Sequence, residues 1–225
     1  MKKLFALLLC FLSVFAFTAC KSESDDALKS HISFLQTDSY YGECELYTVY
    51  LTAGEKEVPY IADGVCGDMK EFCRLTIRTK DNTIINGNFT YKFTYNEEEV
   101  SGVFSKDYGN SMSADTGVKA HAKGISNLII SNGENEYSVE LKDNMADNKI
   151  TVDKAYEIAK SEFKERIGEE TADGKEFNKE INIKFVNDWT DVNSEYYYYV
   201  AFIGADRSGY AVLIDRNSGE IIAKR

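Results

Sequence analysis

The side chains that most often bind metals or act as nucleophiles are few in this chain and far apart. Histidine occurs only at His31 and His121, and three cysteines follow residue 20, at Cys44, Cys66 and Cys73. A zinc site needs such residues at short ligand spacings, which this set lacks, so we predict no metal and no cofactor. No Ser–His–Asp set in a nucleophile-elbow context and no glycine loop for phosphate is visible, so we predict that the protein is not an enzyme.

One motif near the C-terminus, Asp215-x-Asn217-x-Gly219, places oxygen ligands at alternate positions, as the start of a calcium loop does. A calcium loop also needs a third acidic ligand and a bidentate glutamate at its twelfth position, and neither follows here. Aspartate, asparagine and glycine are also the residues that a tight turn prefers. We therefore interpret the motif as a turn, with a metal at Asp215 and Asn217 as the weaker alternative.

The three cysteines beyond residue 20 allow at most one disulfide, which leaves one thiol unpaired. Cys73 lies in an alternating, strand-like run that indicates an inward position, whereas Cys66 lies in the glycine-flanked loop 64–67. A bridge between two of Cys44, Cys66 and Cys73 suits an oxidising compartment. All three pairings stay open.

The first twenty residues have the layout of a secretory signal, with a basic start, the apolar run 4–17 and small residues before Cys20. The apolar run is too short for an ordinary membrane-spanning helix. The tetrad 17–20 (Phe-Thr-Ala-Cys) resembles the lipobox of bacterial lipoproteins, although the family usually has leucine in place of Phe17. The resemblance implies that 1–19 is a signal peptide that is removed and that Cys20 is acylated on its sulfur. The alternative is a plain secretory signal that ends near a cysteine.

Charge and composition limit the possible partners of this chain. The formal net charge is −11, and removal of residues 1–19, which hold two lysines and no acid, leaves −13. Such an acidic surface argues against nucleic acid and against a second, electrostatic contact with anionic lipid. The polar segment 21–27 indicates that residues 20–30 are a flexible tether. We therefore expect a chain anchored by lipid at the extracytoplasmic face of the cell membrane.

From residue 31 to 142 the hydrophobic pattern alternates with a period of two, as it does at 45–51, 73–78 and 89–95. An Asn132-Gly133 pair between two alternating runs predicts a hairpin. No convincing helix is present. Roughly seven or eight short strands with turns between them predict an antiparallel β-sandwich, which we compare with immunoglobulin-like domains although their Cys–Trp–Cys signature is missing.

The pattern changes after the polar segment 143–149, which we interpret as a linker between two domains. Thr151 is a good N-cap, and apolar residues then recur at helical spacing until Gly168, which predicts one amphipathic helix of about four turns. Three or four strands with turn residues between them follow, up to residue 225. The predicted fold class is therefore mainly β with α+β: a sandwich at 31–142, then a helix plus an antiparallel sheet at 150–225.

The segment 150–225 resembles the PepSY domain, a small extracytoplasmic module. The likeness rests on the start of the helix at 150–160 (ITVDKAYEIAK) and on the strand, turn and final strand at 210–222 (YAVLIDRNSGEII). It implies binding rather than catalysis, because such modules occur in peptidase propeptides and are proposed to restrain peptidases. The family has no catalytic residues to transfer. No family is recognised for residues 31–142.

The strand at 196–203 is apolar or aromatic on both faces. Its even-numbered residues are expected to pack under the helix, so that Tyr197 and Tyr199 face away from it. An uncovered aromatic face marks a contact surface, because tyrosine is enriched at interfaces; otherwise the sandwich or a long loop covers it. Our hypothesis is that Tyr197 and Tyr199 contact a protein partner.

These observations predict a membrane-anchored extracytoplasmic lipoprotein that binds a protein partner at the cell envelope. The resemblance to PepSY adds restraint of a peptidase, and open strand edges are further contact surfaces. The alternative is a surface lipoprotein that binds a ligand or glycan through the loops of the sandwich.

Overall fold

The computed structural model describes residues 23–107, 109–118, 124–188 and 194–225. The predicted signal peptide at 1–19, Cys20 and His121 lie outside these residues. Strands are the main element of the described residues, which also form two α-helices, and the strands make two sheets. The fold is therefore mainly β with a smaller helical part, as the sequence predicted.

Fourteen strands follow one another along the described chain. They are β1 (Ile32–Glu43), β2 (Tyr47–Glu57), β3 (Met69–Thr79), β4 (Thr90–Tyr95), β5 (Glu98–Val103), β6 (Ser105–Lys106), β7 (Ser111–Asp115), β8 (Ile125–Ser131), β9 (Glu136–Val139), β10 (Lys142–Asp143), β11 (Lys179–Asn187), β12 (Tyr196–Gly204), β13 (Gly209–Asp215) and β14 (Ile221–Lys224). The helices between β10 and β11 are α1 (Val152–Glu162) and α2 (Lys164–Glu170). Two 3-10 helices cover Glu23–His31 and Ala172–Gly174.

The segment before β1 differs from the prediction of a flexible tether at 20–30. The part of this segment that the structure describes lies in the 3-10 helix Glu23–His31. The Ser30 hydroxyl donates to the carbonyl of Ala27 at 2.6 Å. A serine side chain that bonds to the carbonyl three residues earlier supports such a turn locally, and the sequence analysis did not consider this bond.

A sheet of four strands, in the order β5-β4-β8-β9, shares a core with β2, β3 and β7 of a larger sheet. Phe89, Tyr91 and Phe93 alternate inward from the small sheet and are buried, as the period-two pattern predicted. Leu51 and Leu75 face them from the large sheet and are 0 % exposed. Two sheets with a common apolar core therefore form the N-terminal part of the fold.

The predicted hairpin at Asn132-Gly133 is confirmed, since it joins the antiparallel strands β8 and β9. Gly133 has a φ of +90°, which glycine adopts without a steric penalty. The Asn132 side chain accepts hydrogen bonds from the backbone amides of Glu134 and Asn135, at 3.1 and 2.8 Å. The register of these strands is thus set by a local turn.

The predicted amphipathic helix begins where expected but is interrupted. Thr151 is its N-cap, and the Thr151 hydroxyl accepts from the amide of Lys154 at 3.1 Å. At Phe163 the backbone leaves the helical region (φ −101°, ψ 16°), which separates α1 from α2. The Phe163 ring lies 4.6 Å from the ring of Tyr210, so this break accompanies aromatic packing onto the sheet. Gly168 lies inside α2 instead of ending the helix.

The larger sheet crosses the boundary that the sequence predicted at 143–149. Its path is β14-β13-β12-β11-β1-β2-β3-β7-β6, and β10 also pairs with β1. β1 is antiparallel to β2 and parallel to β11. Residues 31–225 form one compact unit, so the two predicted domains, 31–142 and 150–225, are not separate bodies. Pairing with β1 covers an edge that β11 would otherwise expose.

The predicted linker is itself fixed to the sheet. Its first residue, Asp143, ends the short strand β10, which pairs with Tyr40 and Tyr41. The Asn144 amide donates to the carbonyl of Ser39 at 2.8 Å, and Arg216 donates to the carbonyl of Asn144 at 3.0 Å. Backbone groups that are satisfied in this way belong to the fold and do not act as a hinge.

None of the three possible disulfides forms in this structure, because Cys44, Cys66 and Cys73 are all free thiols. Cys73 pairs with Ala53 on β2. Cys44 contacts the carbonyl of Tyr47, which begins β2 six residues before Ala53. This separation is ~20 Å along a strand, far more than a disulfide allows. Cys66 lies near the carbonyl of Ile32 instead, at 3.2 Å, and burial raises the pKa of the Cys66 and Cys73 thiols.

Candidate binding groove

The Tyr197 and Tyr199 side chains lie on the face of β12 that points away from the helices, as predicted, and both are half-buried. The cross-strand neighbours of Tyr199 are Lys184 on β11 and Leu213 on β13. The Lys184 ammonium group lies 4.9 Å from the centre of the Phe34 ring, and burial lowers the pKa of Lys184. This aromatic and cationic patch is called the Tyr197 face below.

The segment 58–68, which connects β2 to β3, contacts that sheet face at its Glu180 end. Gly64 donates its amide to one oxygen of Glu180 at 3.3 Å, and the Ser33 hydroxyl donates to the other oxygen at 2.9 Å. Glu180 is fully buried. Gly64 has a φ of +84°, and a Cβ there would lie 2.2 Å from the carbonyl oxygen of Asn178, so only glycine permits this close approach. The long-loop alternative from the sequence thus holds for this end of the face only.

The motif at Asp215 forms the turn between β13 and β14. One oxygen of Asp215 accepts from the amides of Asn217 and Ser218, at 2.9 and 2.7 Å, and from the Ser218 hydroxyl at 2.9 Å. These bonds, first the one from the Ser218 amide, lower the pKa of Asp215. One carboxylate oxygen of Asp215 therefore stabilises the turn itself, which supports the turn interpretation.

This geometry predicts how Asp215→Asn changes stability with pH. Because the folded pKa lies below the usual 3.8, the charge stabilises the fold above that pH and its contribution disappears as the pH falls through the folded pKa. Asparagine keeps the accepting oxygen but does not titrate. In urea unfolding between about pH 5 and pH 2, the small advantage of the natural chain over Asp215→Asn should shrink.

Asp147→Asn, which removes one negative charge at another exposed aspartate, is the matched control for the loss of charge. Calcium should leave the melting temperature of the natural chain unchanged, since a bound ion would raise it. A clear rise with calcium that Asp215→Asn abolishes would contradict the turn interpretation.

A groove of about 700 Å³ opens on the face of the large sheet that points away from the four-stranded sheet. Its floor consists of outward side chains of β2 and β3, which alternate with the core residues of the same strands. These floor residues are Tyr50, Thr52, Arg74, Thr76 and Arg78. A volume of this size is typical of sites for small ligands or short segments.

The strand order determines what lies on the two sides of the groove. β11 and β12 lie on one side of the floor and contribute Phe185, Val186, Asn187 and Tyr196. β7 and the connection that precedes it lie on the other side and contribute Asp107, Asn110 and Ser111. The groove therefore combines residues from both segments that the sequence analysis treated as domains.

The two arginines of the floor are held by neighbouring side chains. Arg74 donates from Nη2 to the Ser113 hydroxyl at 2.7 Å and lies 3.7 Å from a carboxylate oxygen of Asp107. Arg78 donates from Nη2 to the side-chain oxygen of Asn82 at 2.9 Å. A guanidinium group carries several N–H donors in one plane, so these bonds orient each group.

The aromatic side of the groove is rigid and uncharged. The Phe185 and Tyr196 rings stack at 4.9 Å with an interplanar angle of 12°, and the Tyr196 hydroxyl accepts from the Asn144 side chain at 3.1 Å. Burial, and then the nearby Tyr50 and Tyr41, raise the pKa of Tyr196 to about 12. Tyr196 is therefore neutral at physiological pH and offers a ring face and a hydroxyl.

The groove differs in charge from the chain as a whole. Among the residues that the structure describes, its charged lining side chains are Arg74, Arg78 and Asp107, whereas the chain as a whole has a formal charge of −11. Arginine binds carboxylates and phosphates through paired hydrogen bonds. The arrangement is therefore suited to an anionic group next to an aromatic or apolar one.

The groove and the Tyr197 face lie on opposite faces of β11 and β12. Phe185, which lines the groove, is the cross-strand partner of Tyr198, whereas the next residue, Val186, is the cross-strand partner of Tyr197. The sequence analysis found the Tyr197 face but missed the groove. The alternation at 73–78 already indicated that Arg74, Thr76 and Arg78 face away from the core, but no local pattern shows which strands lie beside them.

Comparison with family models, curated proteins and solved structures finds no match for this chain. No helix in the described ranges has the length and apolar character that crossing a membrane requires. Nor do the side chains in those ranges include a group of three or more His, Cys, Asp or Glu placed to hold a metal ion.

Proposed function

We propose that this protein is a lipid-anchored extracytoplasmic lipoprotein that binds a protein partner at the cell envelope without catalysing a reaction. The observation that carries the proposal is the groove over β2 and β3, whose floor presents two arginines beside a stacked aromatic pair. Tyrosine and arginine are enriched where proteins contact each other. A segment of the partner fills the groove, and the Tyr197 face, on the opposite side of β11 and β12, is a second contact surface.

The anchor follows from the first twenty residues. A basic start, an apolar run and the lipobox-like tetrad that ends at Cys20 support secretion and acylation. Acyl chains then hold the protein at the extracytoplasmic face of the membrane, since each buried methylene adds about 0.8 kcal/mol. The groove is thereby presented to other proteins of the envelope.

The C-terminal half supports a more specific partner. A capped helix followed by the antiparallel strands β11 to β14 is compatible with the likeness to PepSY modules at 150–225. Because that family is associated with the restraint of peptidases, we propose an envelope peptidase as the partner. The immunoglobulin-like comparison for 31–142 stays a prediction.

One observation favours the alternative, a lipoprotein that binds a ligand or glycan. Asp107 and Asn110, in a connection of the N-terminal part, line the groove, so that loops of this part do contribute to a site. Under this alternative the groove would enclose the ligand without a protein partner.

A peptidase panel tests the proposal against its alternative. The full chain, purified in detergent micelles, is added to envelope peptidases at stoichiometric amounts, and their rates are compared with rates in micelles alone. At least one peptidase should be slowed. If none is slowed and a glycan array binds the chain instead, the alternative replaces the proposal.

Replacing Tyr197 and Tyr199 together with serine should weaken capture of the partner about tenfold, because aromatic side chains contribute much of the binding energy at interfaces. Both rings are half-buried on the face away from the helices, so the melting temperature should fall by only a few degrees. Capture is measured by biolayer interferometry against the slowed peptidase, and unfolding by circular dichroism.

Val103→Ser, on the four-stranded sheet, is the control for this double variant, because Val103 is 64 % exposed and far along the chain from the Tyr197 face. It should bind as the natural chain does. If the double variant instead melts at a much lower temperature, the two rings belong to the core and the contact hypothesis is wrong.

A further inference from the structure

We infer that the loop 58–68, between β2 and β3, lies against the bilayer surface and orients the anchored protein. This inference rests on the proposed lipid anchor at Cys20 and adds an apolar contact with the same membrane. The loop carries three large apolar side chains, Tyr60, Ile61 and Val65, whose exposed fractions are between 54 and 60 %. Exposed apolar residues that cluster in this way mark a surface for contact with a protein or a membrane.

The loop presents these side chains on a fixed backbone. The amide of its first residue donates to the carbonyl of its last at 3.0 Å, as in compact surface loops whose ends lie close together. Within the loop, the amides of Gly64 and Gly67 donate to the buried side chains of Glu180 and Glu57, at 3.3 and 3.0 Å. Buried carboxylates therefore hold the inner side of the loop, while its apolar side chains stay exposed.

The loop lies at the end of the large sheet where the chain enters β1. The Cys66 thiol lies 3.2 Å from the carbonyl of Ile32, the first residue of β1. β1 and β11 are parallel and begin at this end, whereas β2 and β12 are antiparallel to them and finish there. The turn between β12 and β13 also approaches the loop, since a Cβ on Gly64 would lie 3.5 Å from the amide nitrogen of Ala205.

The length of the tether fits contact between this end of the sheet and the bilayer. Cys20 and Ile32 are twelve positions apart, and the 3-10 helix Glu23–His31 rises only ~2 Å per residue. The tether therefore reaches no more than ~30 Å from the anchor to the start of β1. The opposite end of β1 lies ~36 Å from Ile32, at about 3.3 Å per residue, so the loop is at the end of the sheet that the anchor holds near the membrane.

The chemistry of the loop fits the boundary between lipid headgroups and acyl chains. Tyrosine is enriched at that boundary because its ring is apolar and its hydroxyl polar, and aliphatic side chains such as Ile61 and Val65 gain free energy when acyl chains surround them. Asp63 and Asp68 in the same loop are acidic, so anionic headgroups do not attract it. The contact is therefore apolar and needs no anionic lipid.

Contact at this loop directs the groove away from the membrane. On β11 and β12 the groove is lined by Phe185, Val186, Asn187 and Tyr196, at the last residues of β11 and the first of β12. Phe185 lies ~20 Å along β11 from Lys179, at about 3.3 Å per residue, and Lys179 is at the end of the sheet where the loop lies. A partner can therefore reach the groove while the loop contacts lipid.

Quenching of introduced tryptophans by brominated lipid tests the inference on the acylated full chain in phosphatidylcholine vesicles. Trp189→Phe removes the single natural tryptophan, and Ile61→Trp or Val65→Trp then places one in the loop. The matched controls are Ile222→Trp, at a side chain 54 % exposed on β14, and Leu46→Trp, at one 45 % exposed between β1 and β2. Bromine on the acyl chains should lower the emission of both loop variants about twofold or more and leave both controls unchanged.

A serine double variant shows whether the apolar side chains cause the contact. Replacing Ile61 and Val65 together with serine should abolish the quenching of a tryptophan placed by Tyr60→Trp, while flotation with the vesicles continues through the acyl chains. Adding phosphatidylglycerol should not increase the quenching of the loop variants, and an increase would contradict an apolar contact. Circular dichroism confirms that each variant is folded.

The remaining outcomes separate the inference from the proposed anchor. If the chain floats with vesicles but the loop tryptophans are not quenched, the inference is wrong and the anchor stands. If Leu46→Trp is quenched instead, the opposite end of the sheet faces the bilayer, and the inference is equally wrong. A blue shift of the loop tryptophans that grows with the amount of protein per vesicle, without quenching, assigns the loop to a second copy of the chain. A chain that does not float with vesicles rejects both the anchor and the inference.

Discussion

Cys20→Ala should abolish fatty-acid labelling of this protein and its stable attachment to the membrane. Acyl chains contribute about 0.8 kcal/mol per buried methylene, and two or more chains hold a protein far more firmly than one. Loss of the proposed acylation site should therefore change the partition between membrane and water by orders of magnitude. The measurements are metabolic labelling with an alkynyl fatty acid, fractionation of cells, and intact mass of the natural product.

Cys10→Ala is the matched control, since Cys10 is a second cysteine in the same leading segment, inside the apolar run. It should leave labelling and attachment unchanged. If Cys20→Ala behaves like Cys10→Ala, or if mass spectrometry finds the Cys20 thiol unmodified, the segment is a plain secretory signal and the proposed anchor is wrong.

Phe202→Ala should destabilise the fold by about 3–5 kcal/mol, the usual cost of deleting a buried aromatic ring. Phe202 is 0 % exposed, and its ring stacks on Tyr210 at 4.9 Å and lies 5.7 Å from Phe163 and 6.3 Å from Phe177. Truncation leaves a cavity between the sheet and the helices that these rings cannot fill. The change is measured as the shift of the urea midpoint at unchanged slope.

The same variant tests whether residues 31–225 unfold as one unit. Because β1 joins both halves of the large sheet, we expect a single transition that moves as a whole. Ile203→Ala, the next residue on the opposite face and only half-buried, should cost well under half as much. If Phe202→Ala instead unfolds in two separate transitions, and the urea midpoint of the N-terminal part is unchanged, residues 31–225 are not a single cooperative unit.

Local features of the fold were predictable because they depend on neighbours in the sequence. The N-cap at Thr151, the hairpin at Asn132-Gly133 and the inward alternation of Phe89, Tyr91 and Phe93 all follow from backbone preferences and periodicity over a few residues. Tyr198 and Phe202 are buried on the face toward the helices, as their parity predicted. In each case a short pattern determines the outcome.

The predictions that differ from the structure concern contacts between residues far apart in the sequence. The predicted boundary at 143–149 followed a change of pattern, but the polar residues there bond to β1 and to Arg216 instead of forming a linker. A disulfide was possible from the count of cysteines, whereas strand register separates Cys44 from Cys73. Neither a composition shift nor a cysteine count contains information about which distant strands pair.

By itself, the sequence determined the mainly β character, the capped helix, the turns and the faces on which Arg74, Arg78, Tyr197 and Tyr199 lie, because period and turn chemistry are local. Only the tertiary structure decided that β1 pairs with β11, through contacts such as the bond from the Asn182 side chain to Ser33 at 3.0 Å. That pairing brings Phe185 and Tyr196 beside the floor of β2 and β3, and so creates the groove. Strands about 150 residues apart in the chain pair because an exposed strand edge must be covered by some other strand or segment. No local pattern encodes which strand that is.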